Sequence, residues 1–214
     1  MLVMLAFLPS CYSKDNAIRA AFVNFSGRYV IYINKTNFLL EVYNRKAAAV
    51  ASFPIAFGSN PDRKPKLFEG DNRTPEGVYY INEILSMDVD KKTDSYSKLK
   101  NLNKVYFSAR NGHCRFGEPG VDLGDNVYGP RYFGLNYPNR EDRARYRNAQ
   151  KEGTIKPVNG KMPGIGYGIA IHGNNDEKSI GHLSSNGCIR MFNRDVIECE
   201  QYIQLGTPVI ISLD

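Results

Sequence analysis

The chain has 214 residues, of which 42% are hydrophobic and 12% aromatic, which excludes a disordered chain and suffices for one packed domain. The 19 Gly, 11 Pro and 14 Tyr residues indicate a turn-rich protein with many strands. The net charge of +6 favours an anionic partner through long-range attraction, without distinguishing carboxylate-rich peptides, nucleic acids and membrane surfaces.

An apolar run, residues 2–8, opens the chain and is followed by Pro9-Ser10-Cys11. It is shorter than the about 20 apolar residues that a membrane-spanning helix needs. The run is typical of the hydrophobic part of a signal peptide over residues 1–10, although no Lys or Arg precedes it. Its ending resembles a bacterial lipobox, which implies lipidation of Cys11 and an N-terminal tether over 11–27. The alternative is a buried N-terminal strand or helical turn.

Secondary structure is predicted from residue periodicity and turn signals. In chain order, the predicted elements are a helix at 17–25, strands at 29–33, 38–43, 47–57 and 77–84, a loop or short helix at 86–102, a strand at 105–108, an exposed helix at 140–151, a strand at 168–172, a helix at 195–205 and a strand at 208–213. The turn-forming Asn-Lys-Thr-Asn at 34–37 makes the first two strands a β-hairpin. Residues 112–138 interleave Gly, Pro and aromatic residues without a clear period, which is typical of a segment that covers a site.

The strand at 168–172 leads into the most informative pattern of the chain. Ile171-His172-Gly173 precedes Ser185-Asn186-Gly187-Cys188-Ile189-Arg190-Met191, with the cysteine sixteen residues after the histidine. A cysteine nucleophile needs a nearby base and backbone N–H groups that can hold an oxyanion. Glycines beside both residues let the backbone approach a substrate closely. The pattern therefore predicts a thiol-dependent catalytic site, with Cys188 at a turn.

This pattern resembles the catalytic signature of the L,D-transpeptidases of the YkuD type, which remodel peptidoglycan. A second segment, 70–77, resembles the Thr-Pro-x-Gly element of that family through Thr74-Pro75-Glu76-Gly77. The resemblance covers about residues 28–214. It implies a mainly β catalytic domain over 28–214, with an L,D-transpeptidase-like β-sandwich or barrel, a few short helices and a lid-like insertion.

The resemblance also implies catalytic roles. Cys188 would attack the carbonyl that follows the meso-diaminopimelate, or an equivalent L-centre, of a tetrapeptide stem and expel D-Ala. His172 would take the thiol proton, with its ring oriented by the carbonyl of Gly173. Backbone N–H groups near Gly187 and Cys188 would hold the oxyanion, and no cofactor is implied.

Four substrate-binding residues are expected from the same resemblance. Arg190 would hold a stem carboxylate or shape the pocket, the alternative being a structural ion pair. Ser185 would support the site by hydrogen bonding, and Asn186 stands where many members have His or Lys. Tyr132, in an aromatic segment at 131–139, would pack on a stem peptide or else cover the core.

Other Cys and His residues carry weaker hypotheses. Cys114 and Cys199 form a disulfide or remain separate thiols, and the sequence leaves both options open. His113, next to Cys114, lacks an oxyanion frame, so it is given little weight in catalysis. His182 is expected to be exposed or to support the site. A metal site that combines His182 with the two catalytic candidates matches no known ligand spacing.

The leading hypothesis is a periplasmic, envelope-located L,D-transpeptidase that acts on peptidoglycan stem peptides, anchored to a membrane through lipidated Cys11. It would make 3-3 cross-links or attach a protein to a stem. Two alternatives remain open, an L,D-carboxypeptidase in which water is the acceptor and a non-catalytic peptidoglycan-binding module. No nucleic-acid-binding motif is recognised, so nucleic acid is not an expected partner. The oligomeric state is left open.

Overall fold

The structure is a computed structural model and describes residues 13–105 and 107–213. The predicted signal peptide at 1–10 and the predicted lipidation site Cys11 lie outside these residues. In chain order the elements are α1 Lys14–Ala21, β1 Tyr29–Asn34, β2 Leu39–Asn44, β3 Ala49–Gly58, β4 Gly77–Ser86, α2 Asp94–Asn103, β5 Cys114–Arg115, β6 Glu118–Asp122, β7 Arg131–Leu135, α3 Arg140–Lys151, β8 Ala170–His172, β9 Leu183–Ser185, β10 Ile189–Met191, α4 Asn193–Cys199 and β11 Pro208–Ser212.

Nine of these strands form one sheet that closes on itself. The order is β10-β8-β7-β4-β11-β1-β2-β3-β9, and β10 also pairs with β3. The closing contact sets Arg190 opposite Ala56 in an antiparallel register. The predicted mainly β sandwich or barrel with a few helices is therefore confirmed. The closure matters for function because it brings β8, β10 and β9 together at one end of β3.

The core of the barrel follows from the two-residue period of its strands. Ile31 and Ile33 of β1 point inward and are fully buried, whereas Val30 and Tyr32 point to the opposite face. Full burial of each aliphatic side chain stabilises the fold by about 1.5–3 kcal/mol. Both faces of β1 are covered, which explains why nearly every residue of this strand is buried.

Helix α1 covers the outer face of β1. Ile18 is fully buried against Val30 and Tyr32, and Lys14 pairs with Glu41 at 2.5 Å. The helix starts and ends earlier than the predicted 17–25. The described part of the expected tether is thus packed against the barrel. No helix in residues 13–105 or 107–213 has the length and apolar character needed to cross a bilayer.

Several predicted elements are confirmed. The β1–β2 hairpin pairs Tyr29 with Asn44 in an antiparallel register. Helix α3 has the predicted bounds, because Asn139 and Asp142 form a capping box at its first turn. Helix α2 occupies part of the segment predicted as a loop or short helix. The helix predicted at 195–205 begins as α4 and continues as a 3₁₀ turn over Glu200–Tyr202.

One prediction in the middle of the chain is wrong, and another is correct for only part of its segment. The strand expected at 105–108 is absent from the described residues, where Phe107 makes only an isolated bridge to Gly124 and Ser108 caps a 3₁₀ turn. The segment 112–138, expected to cover a site, contains the core strand β7. All five residues of β7 are buried, so the strand shows no alternation that would have marked it.

The rest of that segment forms an insertion on the outer face of the barrel. Its β5–β6 hairpin is held by Asp176, whose Oδ2 accepts the Phe116 N–H at 2.9 Å. The Phe116 ring stacks on His182, with 4.5 Å between ring centroids. The hairpin therefore lies against the loop after β8 and the turn before β9, in the position of a lid.

Candidate active site

The pairing of β8 with β10 brings the two halves of the motif together. The strands are parallel, with Ile189 opposite Ile171 and Arg190 opposite His172. Ile171 and Ile189 face the barrel core, so His172 and Arg190 face the outer side. Cys188 lies two positions before Arg190 and shares its face. The two residues are separated by about 6.6 Å along the strand direction.

His172 is held in one tautomer by its own loop. Its Nδ1 lies 2.5 Å from the Gly173 carbonyl oxygen, which can only accept a hydrogen bond. Nδ1 therefore carries the proton and Nε2 is free to accept one. The ring is stacked on Tyr132 at 6.3 Å and meets the edge of Tyr128 at 5.0 Å between centroids.

Burial controls the charge of His172. The side chain is only 3% exposed, and burial, with a smaller contribution from the Arg190 charge, lowers the pKa of His172 to about 3. The imidazole is therefore neutral at physiological pH. A neutral ring with a free Nε2 is the form that can act as a general base.

Gly173 is required by tight packing around its Cα. A Cβ at this position would lie 2.7 Å from Cδ of Pro130 and 3.1 Å from Cα of Gly129. The Gly173 N–H donates to the carbonyl of Arg131 at 3.2 Å. A larger residue would push the loop outward and move the carbonyl that orients His172.

Cys188 directly follows a bend at Asn186 and Gly187, in the short connection between β9 and β10. Its half-buried thiol donates to the Gly168 carbonyl, with Sγ 3.4 Å from the oxygen. Burial raises the pKa of the Cys188 thiol, and the opposing effects of the Ala170 N–H and the Arg190 charge are smaller. The resting site therefore contains a neutral thiol and a neutral imidazole.

Ser185 shapes the turn that carries Cys188. Its Oγ accepts the Gly187 N–H at 3.0 Å and donates to the Cys188 carbonyl at 2.6 Å. The Gly187 N–H, one of those expected to hold an oxyanion, is thus already occupied. The Cys188 N–H has no acceptor within the described part of the chain, which leaves it available to a substrate.

Thr74 fastens the same turn from the other side. Its hydroxyl donates to the Gly187 carbonyl at 2.9 Å and accepts the Gly58 N–H, also at 2.9 Å. Gly187 has φ of 135°, and a Cβ there would lie 2.8 Å from the Arg73 carbonyl oxygen. The Thr-Pro-x-Gly element therefore contacts the Gly-Cys pair directly, through the hydrogen bond from Thr74 to Gly187.

Arg190 is a buried cation without an ion pair. It is 7% exposed, its Nη1 donates to the Ser184 carbonyl at 3.1 Å, and its Nε has no partner. No carboxylate of the described residues lies within 4 Å of its guanidinium. The alternative of a structural ion pair for Arg190 is not found here.

Asn186 is exposed and contacts a residue that the sequence analysis gave little weight. Its Nδ2 lies 2.6 Å from Nδ1 of His113, which the insertion brings to the site. Burial and the Arg190 charge lower the pKa of His113, so this ring is also neutral. No sequence signal connects these two positions, which are 73 residues apart.

Tyr132 belongs to the wall of the site. It is 8% exposed and packs with Leu85, Leu99 and Ala170 under α2, while its ring stacks on His172. Its buried position fits the core-covering alternative, because little of the ring can meet a stem peptide. Its contact with His172 helps to fix the orientation of the imidazole.

The remaining candidates lie apart from this arrangement. Cys114 is half-buried on the insertion, Cys199 is the buried last residue of α4, and both are free thiols, so the disulfide option is not found. His182 is exposed and stacks on Phe116. Among the described residues, no group of three or more His, Cys, Asp or Glu is arranged to hold a metal ion.

Comparison with known proteins assigns the chain to a family. The model of the YkuD family, the L,D-transpeptidase catalytic domain, matches residues 28–211. The chain belongs to this family. It is 29% identical to YqjB of Bacillus subtilis, a protein named as a candidate L,D-transpeptidase, over 186 residues that cover 87% of this chain and 72% of YqjB. A stretch of 46 residues is 52% identical to a similarly named protein, YkuD of Bacillus licheniformis, and covers 22% of this chain and 27% of that protein.

Two solved structures resemble the barrel in their fold. Bd1075 of Bdellovibrio bacteriovorus is 23% identical with a TM-score of 0.50, and the match covers 87% of this chain and 48% of Bd1075. A mutant of Pgp2, the helical cell shape determining protein of Campylobacter jejuni, is 22% identical with a TM-score of 0.51, covering 87% and 47%. The chain spans about half of each of these proteins, and the likeness concerns the fold alone.

Proposed function

We propose that the chain is a thiol-dependent acyltransferase that acts on the tetrapeptide stems of peptidoglycan, with Cys188 as nucleophile and His172 as base. The observation that carries the proposal is the parallel β8–β10 pairing, which places Arg190 opposite His172. Cys188 precedes Arg190 by two residues and therefore lies on the same face of the sheet as His172. Family membership supports the reaction class.

In the first step the Cys188 thiol gives its proton to Nε2 of His172 as sulfur attacks the carbonyl carbon after the third stem residue. Nε2 is able to accept because Nδ1 already donates to Gly173. Both groups are neutral at rest, so proton transfer accompanies formation of the carbon–sulfur bond. The positive charge of Arg190 favours the negative charge that develops during this step.

The tetrahedral oxyanion then accepts a hydrogen bond from the unoccupied Cys188 N–H. Its collapse breaks the carbon–nitrogen bond, and the proton held on Nε2 of His172 passes to the departing amine of D-Ala. A thioester on Cys188 and a neutral imidazole remain, so the base is ready for the second half of the reaction.

An acceptor amine attacks the thioester carbonyl, transfers a proton to Nε2 of His172 and releases the sulfur, which takes that proton back. A side-chain amine of a second stem gives a 3-3 cross-link, and an amine of a protein gives an attached protein. Water as acceptor gives the tripeptide instead. All three outcomes share the same acyl-enzyme on Cys188.

The proposal includes a location in the periplasm with an anchor to a membrane. It rests on the apolar run at 2–8 and the lipobox-like sequence that ends at Cys11. Mass spectrometry of the mature N-terminus from the membrane fraction tests it. A diacylated Cys11 is expected, and unchanged partition of a Cys11→Ala variant would argue against the anchor.

The reaction is tested by incubating the full chain with tetrapeptide muropeptides and measuring products and intact protein by mass spectrometry. The expected result is a tripeptidyl adduct on the protein, loss of D-Ala and new dimers. The Cys188→Ala variant is expected to form neither adduct nor dimers, and His172→Asn to act about 10²–10⁴-fold more slowly. Tripeptide without dimers would indicate a carboxypeptidase, and no adduct with any stem peptide would contradict the proposal.

A further inference from the structure

The loop after β8 carries the carbonyl that orients His172, and one side chain of α4 holds this loop. Asn193, the first residue of α4, accepts the Asn174 N–H with its Oδ1 at 2.9 Å. Its Nδ2 donates to the Asn174 carbonyl at 2.8 Å. A backbone N–H can only donate and a carbonyl can only accept, so the orientation of the Asn193 amide is determined. Asn193 therefore clamps both backbone polar groups of Asn174.

The clamped N–H and the carbonyl that orients His172 belong to the same peptide group. This group joins Gly173 to Asn174, and its planar trans geometry directs the C=O and the N–H to opposite sides. Because Asn193 fixes the direction of the N–H, it also fixes the direction of the Gly173 carbonyl. The two hydrogen bonds polarise the same amide and strengthen each other. A continuous chain of hydrogen bonds thus runs from Asn193 through this peptide group to Nδ1 of His172.

Two glycines leave the space that the Asn193 side chain occupies. A Cβ at Gly129 or at Gly173 would collide with Oδ1 of Asn193. A Cβ at Gly129 would also lie 2.7 Å from the Asn174 nitrogen. The backbone of Asn193 is held to the same loop, because its N–H donates to Oε1 of Glu177 at 2.7 Å. The clamp is therefore fixed by its hydrogen bonds and by its packing.

The place of Asn193 in the chain connects the clamp to the nucleophile. Asn193 follows Cys188 by five residues, and β10 lies between them. β10 is itself held by β8 on one side and by β3 on the other. The segment that carries the thiol thus also carries the side chain that orients the base. This connection acts in addition to the pairing of β8 with β10.

We infer that Asn193 is a positioning residue, which acts through the peptide group between Gly173 and Asn174 to hold His172 in the tautomer whose Nε2 can accept the thiol proton. The inference rests on the proposed function, which gives this tautomer its use. Without the clamp the peptide group is able to rotate, and the Gly173 carbonyl no longer holds the proton on Nδ1. The proton is then shared between the two ring nitrogens, and the fraction of His172 that can act as a base falls.

The tautomer is measured in the full chain, without substrate, by ¹H–¹⁵N correlation NMR of the three histidine rings. The signals of His172 are identified by their absence from His172→Gln. We expect the wild type at pH 7 to show one tautomer of His172, with the proton on Nδ1. Asn193→Ala is expected to show a mixture of both tautomers. A ring that remains protonated only on Nδ1 in Asn193→Ala overturns the inference.

Asn44→Ala is the matched control for the lost hydrogen bonds. Oδ1 of Asn44 accepts the N–H groups of Lys46 and Ala48 at 2.9 and 3.2 Å, in the turn between β2 and β3. Each of the two variants thus removes two hydrogen bonds between a side chain and the backbone. The Asn44 turn packs beside the cluster under α1, so its variant should leave the tautomer of His172 unchanged. A mixture in Asn44→Ala as well would assign the effect to general destabilisation and contradict the inference.

Gly129→Ala disturbs the clamp while Asn193 stays in place. The new Cβ would displace Oδ1 of Asn193 and the Asn174 nitrogen, so a mixture of tautomers is expected here too. Gly124→Ala is its control, because φ at Gly124 is 70°, close to the 63° of Gly129, whereas a Cβ there would meet no atom within 4 Å. The backbone strain is therefore similar in the two variants. If they leave His172 in the same state, the clamp does not determine the tautomer.

Acylation of Cys188 by a tetrapeptide measures the functional consequence. Asn193→Ala is expected to lower the maximal rate of adduct formation by about 10- to 100-fold, because fewer rings are correctly protonated and oriented. The peptide concentration that gives half the maximal rate should stay within about twofold of the wild-type value. An effect confined to that concentration would assign Asn193 to substrate binding and overturn the inference.

The two proposals fail separately, because the tautomer is measured without substrate. If no stem peptide acylates the wild type but Asn193→Ala mixes the tautomers, the proposed function fails and the clamp stands. If the wild type and Asn193→Ala are acylated at the same rate, the positioning role fails and the function stands.

Discussion

The hydroxyl of Thr74 donates to the carbonyl of Gly187 across 113 residues of sequence, at 2.9 Å. The contact lies beside the proposed nucleophile and is completely buried on the Thr74 side. It converts a turn made of small residues into a fixed support, because the same hydroxyl also accepts the Gly58 N–H at the end of β3. The position of the sulfur therefore depends on a strand end and a loop from the first third of the chain.

Thr74→Val tests this support. The substitution keeps the shape of the side chain but leaves the Gly58 N–H and the Gly187 carbonyl unpaired, at a cost of about 1–3 kcal/mol. We expect a lower free energy of unfolding in urea and slower acylation of Cys188. Thr154→Val, at an exposed position, is the control and should change neither quantity.

Gly187→Ala is expected to reduce acylation far more than it reduces binding. The φ of 135° disfavours any side chain, and the new Cβ would lie 2.8 Å from the Arg73 carbonyl oxygen. A displacement of this turn by even about 1 Å lowers the rate about 10²-fold. The measurement is the rate of adduct formation by intact-protein mass spectrometry.

Gly181→Ala is the control that distinguishes the effect of backbone strain from the effect of the close contact between residue 187 and Arg73. Gly181 also has a positive φ, of 88°, but a Cβ there would meet no atom within 4 Å. Its replacement should cost about 1 kcal/mol of stability and leave acylation near the wild-type rate. Equal loss of activity in both variants would contradict a specific role for the contact between Gly187 and Arg73.

The lowered pKa of His172 predicts how the free energy of unfolding depends on pH. Its pKa falls from 6.5 in the unfolded chain to about 3 in the folded protein, so between these values the unfolded chain binds more protons. The stabilising contribution is therefore complete above pH 6.5 and is lost as pH falls toward 3. A shift of this size corresponds to about 5 kcal/mol.

The measurement is the free energy of unfolding from pH 7 to pH 4 for the wild type, His172→Gln and His182→Gln. The His172 variant should show a weaker loss on acidification, whereas the variant of the exposed His182 should follow the wild type. The same neutral imidazole also predicts acylation that does not fall with an apparent pKa near 6.5. A fall at that value would show that His172 titrates like a solvated histidine.

Two ion pairs of one loop are expected to differ in their contribution to stability. Asp71 and Lys66 are both buried and lie 2.8 Å apart, and Asp71 also accepts backbone N–H groups of Leu67 and Phe68. Asp71→Asn leaves the Lys66 charge buried without a counter-ion and is expected to cost about 3–5 kcal/mol. Thermal and urea unfolding measure this loss.

Asp62→Asn provides the comparison. Asp62 pairs with Arg73 in the same loop, but its side chain is substantially exposed, so the pair is screened by solvent. The expected loss is below about 1 kcal/mol and should shrink further at high salt. Similar losses for the two variants would contradict the importance of burial at Asp71.

Local patterns explain which parts of the fold could be predicted. The β1–β2 hairpin is predictable because its turn residues and strand residues are adjacent in sequence, and α3 because Asn139 and Asp142 cap it. Strand β7 could not be recognised, since all five residues are buried and a glycine interrupts its apolar run. Its structure is determined by β4 and β8 on either side, which are distant in sequence.

The candidate site, too, could be predicted from the sequence only in part. His172 and Cys188 could be proposed from residue types and order, and Thr74 from a weak loop motif. The contact between His113 and Asn186 could not be predicted from the sequence, because it depends on the path of a long insertion. Nor does sequence reveal that Arg190 is buried without an ion pair, since burial and pairing arise only when the barrel closes.

Closure of the barrel through β3 and β10 also has a consequence for biosynthesis. The strand that completes the ring is the strand that follows the nucleophile, and its partner β3 is made while most of the chain is still unsynthesised. In a nascent chain the candidate site is therefore not assembled until β10 has been synthesised and has paired with β3 and β8. The arrangement of the candidate site and the closure of the barrel are therefore completed together.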